Sequence, residues 1–125
     1  MATDNELVVS DFCRAWSALN IDKVMEFFTD DAVYHNMMLE PARGKAAIRK
    51  TIDGFMPGTT KVEFKILTTA SAGDLVFNER VDSFVVNGRP IAVPVAGVFE
   101  LAGGRIKAWR DYFDLGTYMK QRDGK

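Results

Sequence analysis

The spacing of apolar positions changes period part-way along the chain. Up to Gly58 it is mostly helical, and from Lys61 onward apolar and polar residues alternate as in strands. Thr3-x-x-Glu6 reads as a capping box that opens a helix with Val8, Phe12, Ala15, Trp16 and Leu19 on one face. Asn20 is placed to cap a short second helix carrying Val24, Phe27 and Phe28. Residues 32–38 read as a short strand, and Gly44 precedes a third helix with Ala47, Ile48, Ile52 and Phe55, ended by Pro57-Gly58. Four strand runs follow, at about 61–71, 75–86, 90–101 and 105–115. Their separators, Ala72-Gly73-Asp74, Asn87-Gly88 and Gly103-Gly104, are hairpin signals. Residues 116–125 add a short tail helix through Tyr118 and Met119.

Helices first and antiparallel strands afterwards predict an α+β fold, with the helices laid across one face of a curved sheet and a pocket between the layers. No linker, repeat or low-complexity tract divides the chain, so residues 1–125 read as one domain. With 16 basic against 17 acidic residues, the balance lacks the basic excess of a nucleic-acid binder. One cysteine, Cys13, excludes an intrachain disulfide and a Cys-rich zinc site, and one histidine, His35, excludes an HExxH metal site. No apolar run reaches membrane-spanning length, and the start Met1-Ala2-Thr3-Asp4-Asn5-Glu6 is acidic and unlike a signal peptide. The expectation is a cytoplasmic enzyme or binding domain.

Two strands carry charge where a core is expected. In 76–84, alternation puts Asn78, Arg80, Asp82 and Phe84 on one face, and in 109–114, Asp111 shares a face with Trp109 and Phe113. A carboxylate between two large aromatics is poorly solvated unless paired, and Arg80 is the natural partner. Two carboxylates sharing one arginine can hold different protonation states, which supplies an acid and a base together. The register resists this pairing. If both Asn87-Gly88 and Gly103-Gly104 are two-residue turns, Arg80 lies opposite Val95 and Asp111 opposite Ala96, which turns Asp111 to the wrong face. One extra residue restores it, in a three-residue loop Ala102-Gly103-Gly104 with Gly104 left-handed or in a bulge near Pro94.

On spacing alone, Arg80 and Asp82 read first as a structural or solvated ion pair, and Trp109 and Phe113 as core. Tyr34 and Asn36 share a face, where they could bond a backbone group or hold a water. His35 points the other way and reads as non-catalytic. Cys13 reads as a small core or pocket residue, and Glu79, Arg110 and Asp114 as charges on the opposite faces.

Together, Tyr34-His35-Asn36, Glu79-Arg80-Val81-Asp82 and Trp109-Arg110-Asp111-Tyr112-Phe113-Asp114-Leu115 resemble the limonene-1,2-epoxide hydrolase family, a branch of the NTF2-like (SnoaL-like) cone folds. The resemblance runs from the first helix to Leu115. It implies a mixed, mostly antiparallel sheet and a one-step hydrolysis of an epoxide to a vicinal diol, with no metal and no organic cofactor. Carried over by position, Asp111 would be the general base, Tyr34 and Asn36 the holders of the attacking water, Asp82 the general acid, and Arg80 the bridge between the carboxylates. By face parity and by resemblance, Trp16, Phe55, Phe84, Val93, Val95, Phe113 and Tyr118 are the expected pocket walls, suited to an apolar cyclic, terpenoid or aromatic epoxide. A homodimer joined through the open sheet face is expected, with Val98 and Tyr112 on that face. The competing expectations are an isomerase or cyclase of the ketosteroid isomerase or SnoaL kind, using Asp111 with Tyr34, and a non-catalytic module that binds apolar ligands.

Overall fold

The computed structural model describes residues 2–124, so Met1 of the acidic start and Lys125 of the tail lie outside the described residues. Helix α1 (Asp4–Ala15) begins where the capping residues put it, with Thr3 Oγ1 accepting from the Glu6 N–H at 3.1 Å. Only that half of the box closes, because the Glu6 carboxylate accepts from the Ser71 hydroxyl and ties the helix to the sheet. Val9, Phe12 and Cys13 form its buried stripe, which continues into Trp16 in a single 3-10 turn. Asn20 caps α2 (Ile21–Met25) by accepting from the Lys23 N–H.

Strand β1 (Phe28–Asn36) starts four residues before the 32–38 reading and takes Phe28 from the second helix. Its pairing is irregular between Phe28 and Val33, so two-residue alternation is lost there although Phe28 and Ala32 are both buried. A two-residue strand, β2 (Ala42–Arg43), is too short to leave a periodic signal. Helix α3 (Lys45–Phe55) follows Gly44 as expected, burying Ile48 and Ile52. Then come β3 (Thr59–Ala72), β4 (Leu75–Val86), β5 (Arg89–Ala102), β6 (Arg105–Tyr112) and a last helix α4 (Leu115–Asp123). The sheet order is β2-β1-β6-β5-β4-β3, antiparallel except for the parallel β1·β6 pair. Placing β1 beside β6 brings the two ends of the chain's pattern together, and this is what sets Tyr34 and Asn36 next to Trp109 and Asp111.

Helices α1 and α3 cover one sheet face, and the core between the layers is centred on Trp109. Its indole stacks on Tyr34 at 4.2 Å and Phe99 at 5.8 Å, and meets the edge of Phe12 at 4.9 Å. A smaller apolar cluster, Val86, Ile91, Val93 and Val95, lies toward the β5 end under Phe84, Phe113 and Tyr118. Among the described residues, no helix is long and apolar enough to cross a membrane.

The extra residue demanded by the register is present, at a position different from both expected ones. Gly103-Gly104 is a two-residue turn with both glycines at positive φ (57° and 79°), the combination a tight hairpin turn needs. The β4·β5 ladder is regular through Pro94. The irregularity is in β6: Leu101 faces Ile106 and Glu100 faces Ala108, which leaves Lys107 bulged and exposed. The bulge moves Asp111 opposite Gly97 and turns it into the core. Lys107 is therefore one residue more than the ladder requires. Deleting it should leave a regular hairpin with Trp109 and Asp111 still inward, at a stability cost within the ordinary range of about 0.5–3 kcal/mol. Deleting Arg110 should instead reverse every later side chain and abolish the cooperative urea transition. Urea unfolding of the two deletion variants checks this.

Candidate active site

A row of residues crosses four adjacent strands: Asn36 on β1, Asp111 on β6, Gly97 on β5 and Asn78 on β4. Arg80 lies two residues along β4 from Asn78, on the same face and fully buried. Its guanidinium reaches back across the row. Nε and Nη2 donate to the two oxygens of Asp82, both at 2.9 Å, and Nη2 also donates to Asp111 Oδ2 at 2.8 Å. Nη1 donates to Asn78 Oδ1 at 2.9 Å. The second oxygen of Asp111 accepts from the Trp109 indole N–H at 2.7 Å. The planar fork of an arginine is what permits this, since one flat group offers donors to three side chains at once.

Gly97 makes the reach possible. Its φ is ordinary, so the backbone has no need of glycine there. A Cβ at that position would lie 2.4 Å from Arg80 Nη1, 2.9 Å from Asn78 Oδ1 and 3.0 Å from Asp111 Oδ1. The guanidinium occupies the space a side chain would fill.

The electrostatics follow from burial. Desolvation pushes the Asp82 carboxyl up to about 6, against the pull of Arg80, with the negative Asp111 adding to the rise. Asp111 is raised by burial too, and Arg80 and the Trp109 N–H oppose the shift. Burial also works against the Arg80 charge, but Asp111 and Asp82 outweigh it and keep the guanidinium protonated. With both carboxylates ionised the cluster is negative, and with one proton between them it is neutral. Tyr34 stays a neutral phenol, because burial and then Asp111 raise it. Asn36 Nδ2 donates to its hydroxyl at 3.1 Å.

Tyr34, Asn36, Asp82 and Asp111 form the polar floor of an open cavity of about 330 Å³. Phe55, Phe84, Val93, Val95, Phe113 and Tyr118 line it as expected. Trp16 does not: it is fully buried behind Phe55 and Phe64, at ring separations of 6.4 and 5.1 Å, and belongs to the core. Leu39, Phe64, Leu115, Met119 and Arg122 also line the cavity and were not anticipated. The α4 residues among them sit in a helix with too little apolar periodicity to reveal an inner face. Gly97 did leave a signal, since a glycine inside a strand pattern marks a close approach.

His35 faces away, its Nε2 2.9 Å from the Leu39 carbonyl. Cys13 is core, and burial pushes its thiol up to about 12, which removes it as a nucleophile. Glu79 is exposed, Arg110 pairs with Glu100, and Asp114 caps α4. Among the described residues, no three His, Cys, Asp or Glu side chains are grouped to hold a metal ion.

Because Asp82 ionises less readily in the folded chain than in the unfolded one, the folded state holds more protons between pH 4 and 6. Stability should therefore fall as pH rises through that window, by a few kcal/mol in order of magnitude. Asp82→Asn should flatten this slope, which urea midpoints at pH 4, 5, 6 and 7 would reveal. Gly97→Ala should lower stability by about 1–3 kcal/mol through overpacking, measured in the same way.

The catalytic domain of limonene-1,2-epoxide hydrolase, as a family model, matches residues 3–123. Epoxide hydrolase EphG of Mycobacterium tuberculosis is 35% identical over 112 residues, covering 90% of this chain and 74% of the relative. The solved structure of an M. tuberculosis LEH-like epoxide hydrolase superposes with a TM-score of 0.83 at 30% identity, covering 97% of this chain and 90% of the other. A SnoaL-like protein from Shewanella putrefaciens (TM-score 0.87, 16% identity, full coverage of both chains) and an NTF2-like protein from Burkholderia pseudomallei (0.85, 13%, 96% and 98%) share the fold. The expected α+β, NTF2-like architecture is thus the observed one, and the chain is an epoxide hydrolase that belongs to the limonene-1,2-epoxide hydrolase family.

Proposed function

We propose that this chain adds water to an apolar epoxide in one step, by concerted general acid and general base catalysis. The observation that carries the reading is the buried Arg80 joining two carboxylates on the floor of an apolar cavity. Ring strain makes an epoxide reactive, but its oxygen needs a proton to leave, and neutral water is a weak nucleophile. A base and an acid acting together meet both needs, each contributing about 10²–10⁴-fold.

Asp111 is the base in this reading because Asn36 is its direct neighbour across β1·β6 and Tyr34 stacks beside it on Trp109. These three polar groups hold one water. Asp111 takes a proton from it as the water oxygen bonds to an epoxide carbon. The carbon–oxygen bond of the ring breaks, and its oxygen takes the proton of Asp82. The step ends with Asp111 protonated and Asp82 ionised, so one proton must return between them before the next turnover. Arg80 keeps its charge throughout, and lets one carboxylate ionise while burial and mutual repulsion hold the proton on the other.

The walls suit a cyclic, terpenoid or aromatic epoxide, and the cavity volume falls within the usual range of about 300–1,000 Å³ for small-molecule sites. Apolar walls select by size and shape, at about 1–3 kcal/mol for each methylene-sized misfit. Pairing of two chains through the outer sheet face belongs to the same reading. Phe77 and Tyr112 are 38% and 46% exposed there, with Val98 on the same face.

The first test is diol formation from cyclohexene oxide and limonene-1,2-epoxide. Wild type should turn both over, while Asp111→Asn and Asp82→Asn should each lose about 10²-fold or more with the fold intact. Full activity in either variant overturns the acid–base assignment. Tyr34→Phe should slow turnover more mildly, since Asn36 and Asp111 still hold the water. Single-turnover hydrolysis in heavy-oxygen water should label the diol and leave every aspartate unlabelled. Label in an aspartate would mean a covalent intermediate and a two-step reaction.

A further inference from the structure

Helix α4 forms one side of the cavity, through Leu115, Tyr118, Met119 and Arg122. Among the described residues, none of its side chains is fully buried, so packing alone holds it weakly. Its first turn is fixed by Asp114, which accepts from the Thr117 N–H at 3.2 Å and the Thr117 hydroxyl at 2.6 Å. Its second turn rests Tyr118 on the edge of Phe84, 6.2 Å between rings.

The far end is held differently. Strand β6 pairs with β5 only from Ala96 to Ala102, so the segment 89–95 of β5 has an open edge on that side. The backbone groups of such an edge lack the strand that would satisfy them. At Ala92 the side chain of Gln121 does so. Gln121 Oε1 accepts from the Ala92 N–H at 2.7 Å, and Gln121 Nε2 donates to the Ala92 carbonyl at 3.0 Å. The primary amide copies one rung of the missing strand, donor for acceptor and acceptor for donor.

We infer that Gln121 is a positioning residue for the substrate cavity: its amide latches the end of α4 onto the free edge of β5 and so fixes the wall that Tyr118 and Met119 present. The inference rests on the reading of that cavity as the substrate site. Gln121 itself does not line the cavity, so its effect on substrate passes entirely through the helix. A latch at one end and a capped turn at the other make α4 a wall that can swing outward about 113–115 when the latch opens. Large epoxides, which touch α4, depend on its closed position more than small ones.

Two variants test this. Gln121→Met removes both bonds at nearly constant length, and Gln121→Glu keeps one acceptor but sets a carboxylate oxygen against the Ala92 carbonyl. In both, hydrogen exchange at the Ala92 amide and along α4 should quicken by about tenfold or more, while exchange in β4 and β6 stays as in the wild type. KM for limonene-1,2-epoxide should rise by about fivefold or more, with kcat within about twofold and its pH profile unmoved. Wild-type exchange in α4 together with unchanged KM overturns the latch. So does a parallel fall in kcat for every substrate with faster exchange throughout the sheet, the mark of general destabilisation. If the wild-type chain hydrolyses neither test epoxide, it is the catalytic reading that fails. The latch is then decided by the exchange measurement, with the calorimetric Kd of the intact epoxide in place of KM.

Discussion

A guanidinium taken wholly out of water has to be met by opposite charge and by acceptors for its N–H groups, and Arg80 is met by Asp82, Asp111 and Asn78. Much of the molecule is arranged around that demand. Strand β5 thins to a glycine so that the group can pass, and β6 carries a bulge so that Asp111 turns to receive it. Phe64 and Phe99 flank the guanidinium at 5.2 and 6.0 Å and keep solvent from it. Removing both carboxylates while keeping the arginine would leave a buried charge unpaired, a far larger penalty than losing an exposed ion pair such as Arg14–Asp11.

The same burial that costs stability gives the carboxylates their raised proton affinity. Trp109 joins the two effects. Its ring packs against Tyr34, Phe12 and Phe99 in the core, and its N–H reaches the one Asp111 oxygen that Arg80 does not take. A residue read from sequence as plain core therefore also shapes the charge cluster. The sequence pattern cannot separate these roles, because an indole on the inner face of a strand looks the same whether or not its N–H has a polar neighbour.

The helix starts and hairpin turns were legible because they depend on local chemistry. Thr3, Asn20 and Gly44 each precede a helix, and the turns at 87–88 and 103–104 lie where Asn-Gly and Gly-Gly predict. Face parity along single strands was equally legible: it sets Arg80 with Asp82 and Asp111 with Trp109, and the register between the two strands then needs one extra residue. What escaped was information shared between distant strands. The bulge could have been absorbed in the turn, near Pro94 or at Lys107, and alternation alone does not choose among them. The misreadings of Phe28 and Trp16 have the same origin: β1 is irregular where Phe28 joins it, and Trp16 has a helical position suited to either core or cavity, decided by Phe55 and Phe64 in front of it.

Gly97 shares its strand with Val95 and Val93, two and four residues earlier on the same inner face. Every replacement at 97 adds at least a Cβ, which would press on the buried Arg80 guanidinium. The valines border the cavity, where a larger or smaller side chain alters its volume. One short stretch of backbone thus joins a position where every replacement is costly to two where many are tolerated. Under mutation and selection, the set of molecules this cavity admits can drift while the charge cluster beneath it stays fixed.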